Sequence, residues 1–121
     1  PSPAPRRGSV IDPNALSRLR QLDGDGTFLA QVIELYRRDA PRQLAAIDDA
    51  LAAGDAAALE RAAHTLKGSA GELGAHRVHR LADRLTERAR RRQIDGNAEL
   101  VAELHTAHAE ADRVLAALAG G

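Results

Sequence analysis

Apolar residues recur at spacings of three and four along most of this 121-residue chain. The recurrence is interrupted at "DGDG" (23–26), at Gly54-Asp55, at Gly74 and at "DGN" (95–97). Spacings of three and four build one face of a helix, whereas a half-buried strand needs alternation, so the chain reads as helical with no strand. The interruptions divide it into five helices. The first begins at Asp12, a good N-cap, with Pro13 at the first helical position, and continues through "NALSRLRQL". The second spans about Thr27 to Ala53, with Phe28, Val32, Leu35 and Tyr36 on one face and Leu44, Ile47 and Leu51 extending it. Pro41 lies inside this span and is expected to kink the helix or divide it near Asp39. The third runs from its cap, Asp55, to about Glu72, with Gly74 as the stop. The fourth covers about Ala75 to Gln93, with Val78, Leu81 and Leu85 inward. The fifth covers about Ala98 to Ala119, with Leu100 or Val101, Leu104, Ala111, Val114, Leu115 and Leu118 apolar.

Four long amphipathic helices with short connections predict an all-α fold, an antiparallel up-down-up-down four-helix bundle with a short extra N-terminal helix capping one end. Residues 1–9, "PSPAPRRGS", hold three of the five prolines and no periodicity. They read as a linker or an expression remnant, which leaves 10–121 as the domain. Phe28 and Tyr36 are the two aromatic residues, so the core must be aliphatic.

Charge and composition exclude several function classes. Formal net charge is zero, which favours neither nucleic acid nor a membrane surface. The arginines of "RARRRQ" (88–93), with Arg84, spread over the outer face of one helix and read as solvated. Cysteine is absent, so no disulfide or thiolate metal site can form. No apolar run approaches the ~18 residues of a membrane span, and a cytoplasmic location is the default. His76/His79 and His105/His108 are pairs at i,i+3, but no Glu-x-x-His accompanies them and the two pairs fall out of register across the last turn, so no metal site is expected.

The stretch "ERAAHTLKGSAGELGA" (60–75) keeps two glycines inside a helix, each costing about 1 kcal/mol relative to alanine. Leu59, Ala62, Ala63, Leu66, Ala70 and Leu73 form the inward stripe. With about 100° per residue, His64 lies roughly 140° from its centre and points to solvent. Gly68 and Gly71, at i+4 and i+7, are expected to leave bare backbone beside the imidazole so that another protein can approach it. Glu60 and Lys67 flank the ring at i−4 and i+3. Lys67 is also the single lysine among 17 basic residues, the rest being arginine. Imidazole ordinarily titrates near 6.5 and is a usable nucleophile at pH 7. A neighbouring ammonium and a cleared approach suit an anionic electrophile, of which phosphoryl is the obvious one. The rival reading is a non-catalytic helical interaction module with an inert His64.

These residues resemble the signature of histidine-containing phosphotransfer (HPt) domains: a His, any residue, Leu-Lys-Gly, two small residues, two variable ones, then Leu-Gly-Ala. His64, Leu66, Lys67, Gly68, Ser69, Ala70, Leu73, Gly74 and Ala75 fit it in register. "FLAQVIELYRRDAPRQLAAI" and "VIDPNALSRLRQL" resemble the preceding helices of the family, so the likeness covers residues ~10–119. The resemblance implies a phosphorelay carrier. His64 would accept a phosphoryl group from a receiver-domain phospho-aspartate and pass it to another receiver aspartate. Lys67 would stabilise the phosphoryl charge, and Gly68, Gly71, Glu60 and Arg90 would belong to the docking surface. Ser69 and Thr86 would give local support. In the family a Glu or Gln on the next helix orients the imidazole; the corresponding position here is Thr86, with Glu87 adjacent. The resemblance further implies a monomer without its own ATP site, not an enzyme in itself, free-standing or part of a hybrid sensor kinase. It implies no bound cofactor, the magnesium coming with the response-regulator receiver. A sensor-kinase dimerisation domain fits less well, because an acidic residue would follow its histidine where this chain has Thr65.

Overall fold

The apolar stripes become five helices in the computed structural model, which describes residues 10–22 and 24–120. They are α1 (Pro13–Gln21), α2 (Thr27–Ala53), α3 (Ala56–Glu72), α4 (His76–Arg90) and α5 (Ala98–Gly120), with no strand among the described residues. The linker reading of residues 1–9 lies outside them.

Helices α2 to α5 close a ring in which each packs on its chain neighbours and α5 returns to α2. The α3–α4 interface is the most extensive. The apolar part of the core is aliphatic apart from Tyr36, with Ile33, Ile47, Leu59, Leu66, Leu73, Leu85, Leu104 and Leu115 fully buried, and Thr86 and Asn97 are buried beside it. Burial of these side chains, each contributing about 1.5–3 kcal/mol, outweighs any intrinsic helix propensity.

Caps fix where the helices start. Asp12 accepts from the backbone N–H of Asn14 at 2.9 Å, and Asp55 accepts from that of Ala58 at 3.0 Å. Helix α1 is tied to the α3–α4 turn, because the Asp12 N–H donates to the Gly74 carbonyl at 2.9 Å. Gly74 has φ +72°, and a Cβ there would meet Ala15 and Asp12 at 2.8 Å, so both backbone and space require glycine. This contact holds α1 over the end of the bundle where α3 passes into α4.

Two expectations need correction and one is narrowed. Of the kink or division expected at Pro41, division does not occur, since α2 is continuous through it. The proline is exposed, so water can satisfy the Arg37 carbonyl that loses its helical donor. The inward face of the N-terminal half of α2 is Leu29, Ile33, Tyr36 and Ala40. Phe28 and Leu35 are 37% and 53% exposed, and Val32 is half-buried. Helix α4 ends at Arg90, three residues before Gln93. Arg92 takes a left-handed φ of 63°, its N–H bonds the Ala89 carbonyl at 2.9 Å, and the Gln93 N–H bonds the Arg88 carbonyl at 2.8 Å. That pattern is a helix stop normally signalled by glycine, and arginine in its place carries no such signal.

Candidate functional site

Helix α3 buries Leu59, Ala62, Ala63, Leu66 and Ala70, and this stripe fixes its rotation. His64 therefore projects outward. It is exposed, and its ring makes no hydrogen bond or ion pair with any described residue. One turn further along, a Cβ on Gly68 would meet nothing within 4 Å. The surface beside the imidazole is bare backbone, as the glycine at i+4 predicts.

Gly71 differs. A Cβ there would lie 3.0 Å from Nδ1 of His79 on α4. The absence of a side chain at Gly71 thus makes room for the neighbouring helix. The expected clearing of His64 by this glycine is corrected to a packing role. The seated His79 ring bonds the Lys67 carbonyl through Nδ1 at 3.0 Å. A carbonyl only accepts, so Nδ1 carries the hydrogen.

Lys67 is held at its other end as well. Its Nζ lies 2.9 Å from Oδ1 of Asp83, four residues after His79 on α4. The hydrogen bond from the Lys67 ammonium holds the Asp83 carboxyl below the usual carboxylate range, with smaller contributions from the charges of Lys67, His79 and Arg90. Asp83 and this use of His79 were not anticipated. The signal was their i,i+4 spacing on one face of α4, but only the register of α4 against α3 shows what they meet.

Glu60 and Arg90 come together: Arg90 Nε lies 3.3 Å from Glu60 Oε2, and its Nη1 bonds Glu87 at 2.6 Å. The seam from Gly71 to Glu60 is thus a row of polar contacts between α3 and α4. Ser69 donates to the Thr65 carbonyl at 3.0 Å, a bond within its own helix. Thr86 is fully buried and donates to the Ala82 carbonyl at 2.7 Å. Its hydroxyl supports its own helix within the core and makes no hydrogen bond to His64. Glu87 is engaged by Arg90. On the other flank of α3, a cleft of about 130 Å³ opens against α2, lined by Val32, Leu35, Tyr36, Asp39, Thr65, Ser69 and Glu72.

The other histidines disperse. His76 lies 3.7 Å from Asp12, His105 bonds Asp48 at 3.1 Å, and His108 meets Tyr36 at 3.2 Å. No group of three or more metal-ligating side chains gathers among the described residues. No helix among them is long and apolar enough to cross a membrane.

The arrangement leaves the His64 imidazole open to an anionic electrophile. The structure is similar to the crystal structure of histidine-containing phosphotransfer protein B from Pseudomonas aeruginosa PAO1, with a TM-score of 0.86 and 24% identity over 93% of this chain and 96% of that one. At that identity the likeness is one of fold. No curated protein sequence matches this chain significantly. The Hpt domain profile matches residues 31–116, which is most of the chain and includes the whole of α3 and α4. By this match the chain belongs to the Hpt domain family.

Proposed function

We propose that His64 is the phospho-acceptor of this phosphorelay carrier, reached by a receiver domain that docks over the Gly68 side of α3. The observation that carries the reading is an exposed, unbonded imidazole beside bare backbone, with an ammonium-bearing side chain one turn away. In the forward step the unprotonated ring nitrogen attacks the phosphorus of the receiver's aspartyl phosphate. An N–P bond forms, the P–O bond to the carboxylate breaks, and the electron pair leaves on the receiver's carboxylate. The phosphorylated ring regains neutrality by losing the proton of its other nitrogen to water. Transfer to a second receiver's aspartate runs the same sequence in reverse.

Lys67 offsets the charge of the phosphoryl oxygens, and Gly68 admits the in-line approach that such a transfer needs. Glu60 and Arg90 form the rim of the docking surface, with Ser69 bonded locally behind it. No Gly-rich nucleotide loop occurs in the sequence, so we read a phosphocarrier rather than a kinase. Magnesium would be supplied by the receiver. We place the domain in the cytoplasm as a monomer, either free-standing or as a module of a hybrid sensor kinase.

The test is to incubate the chain with phosphorylated receiver domains from a panel. An acid-labile, alkali-stable label on His64 is expected from at least one of them. A folded protein that takes no such label from any donor, phosphoramidate included, would leave only the inert interaction module.

A further inference from the structure

The seam that positions Lys67 also restrains it. Helix α4 grips this residue at both ends, His79 bonding its carbonyl and Asp83 pairing with its ammonium. The pair is half open to solvent, with side-chain exposures of 31% for Lys67 and 45% for Asp83. A partly exposed pair can exchange partners at small cost, which a sealed one cannot. The ammonium has two anionic claimants: the Asp83 carboxylate, present at all times, and a phosphoryl group on His64, one turn away on the same helix.

We infer that Asp83 is a positioning residue that competes with the phosphoryl group of His64 for the Lys67 ammonium. This rests on His64 being the acceptor. In the resting protein Asp83 occupies Lys67 and keeps its side chain ordered against α4. When His64 is phosphorylated the ammonium swings to the phosphoryl oxygens and Asp83 is released to water, facing only His79 and Arg90. The exchange sets phosphoryl affinity below what a free lysine would give. A carrier gains from this, because it must give the group away as readily as it accepts it. Exposed pairs are worth about 0.2–1 kcal/mol, so the restraint corresponds to roughly 1.4- to fivefold.

Phosphoramidate tests this without any receiver. It phosphorylates histidine directly near neutral pH, where the product persists. The rate of His64 labelling is compared in the wild-type chain, Asp83→Asn, Asp83→Glu, Lys67→Gln and the double variant Lys67→Gln/Asp83→Asn. Asp83→Asn is expected to raise the rate about 1.4- to fivefold, Asp83→Glu to stay near wild type, and the gain to shrink markedly once Lys67 is absent. A spectroscopic readout comes from the composition: with one lysine in the chain, lysine isotope-labelled at Cε alone gives a single side-chain resonance. That resonance and the Asp83 carboxyl signal should move together when His64 is labelled. An Asp83 signal that stays in place on phosphorylation overturns the inference. So does an Asp83→Asn gain that is absent, or that survives intact without Lys67. Absence of any label at His64 in a folded protein removes the underlying acceptor reading instead, and the inference with it.

Discussion

The α3–α4 and α2–α5 seams use the same kinds of side chain to different ends. Across α2–α5, Arg37 pairs with Asp112 at 2.8 Å, His105 bonds Asp48, and His108 meets the buried Tyr36 hydroxyl. Burial raises the Tyr36 pKa, with a smaller push from Asp112, and burial likewise lowers that of His108. These groups close on one another, and the seam is structural. Across α3–α4, His79 and Asp83 close on Lys67, but His64 projects past the seam into open space. A histidine becomes available for chemistry where the adjoining positions offer it neither cover nor a partner. Gly68 supplies that condition on α3; Tyr36 denies it to His108.

The comparison can be broken most severely at His64. His64→Gln should reduce phosphoryl labelling to background while helicity and melting temperature stay within about 2 °C of wild type, since the ring holds nothing in place. A large loss of stability would show that the ring is structural. Two positions along the same helix, Leu66→Ala should do the converse. It empties a fully buried site and should cost about 2–5 kcal/mol in urea unfolding, leaving His64 reactive in the folded fraction.

The two glycines sharpen the contrast. Gly68→Ala meets open space and should stabilise the chain by about 0.5–1 kcal/mol while slowing transfer from a receiver. Gly71→Ala crowds the His79 ring and weakens its bond to the Lys67 carbonyl, so it should be less stable than Gly68→Ala by about 1 kcal/mol. Equal effects would show that the α3–α4 fit at Gly71 is slack.

The smallest effect concerns pH. Because the folded-state pKa of His108 lies below its ordinary value of 6.5, the unfolded chain binds more protons between the two. Stability is therefore full above about 6.5 and declines as pH falls through that window. Urea midpoints from pH 8 to 5 should show this limb, and His108→Gln, which cannot take a proton, should flatten it. The lowered carboxyls of Asp83 and Asp112 act with the same sign further down, below about 3.8.

Much of the molecule could be read from residue order because its determinants are local. Helix starts at Asp12 and Asp55, the stop at Gly54 and the outward direction of His64 each follow from residues within a turn or two. The stop at Arg92 was hidden because a residue with no special liking for left-handed backbone occupies it. The inward face at the start of α2 was misread because Phe28, Leu29, Val32, Ile33, Leu35 and Tyr36 offer two apolar stripes, and the sequence does not say which one the neighbouring helices cover.

Sequence by itself determined the helices, their order, the aliphatic core and the imidazole facing outward next to a lysine. Tertiary structure decided which helix meets which residue of α3. It placed Asp83 on the lysine ammonium, seated His79 over Gly71 and sank Thr86 into the core. The division is physical. Rotation about the axis of a helix with one clear stripe, as in α3, is fixed by that stripe alone. The register between two helices is fixed by how their whole surfaces interlock, and one side chain of shift would give every polar contact in the seam a different partner.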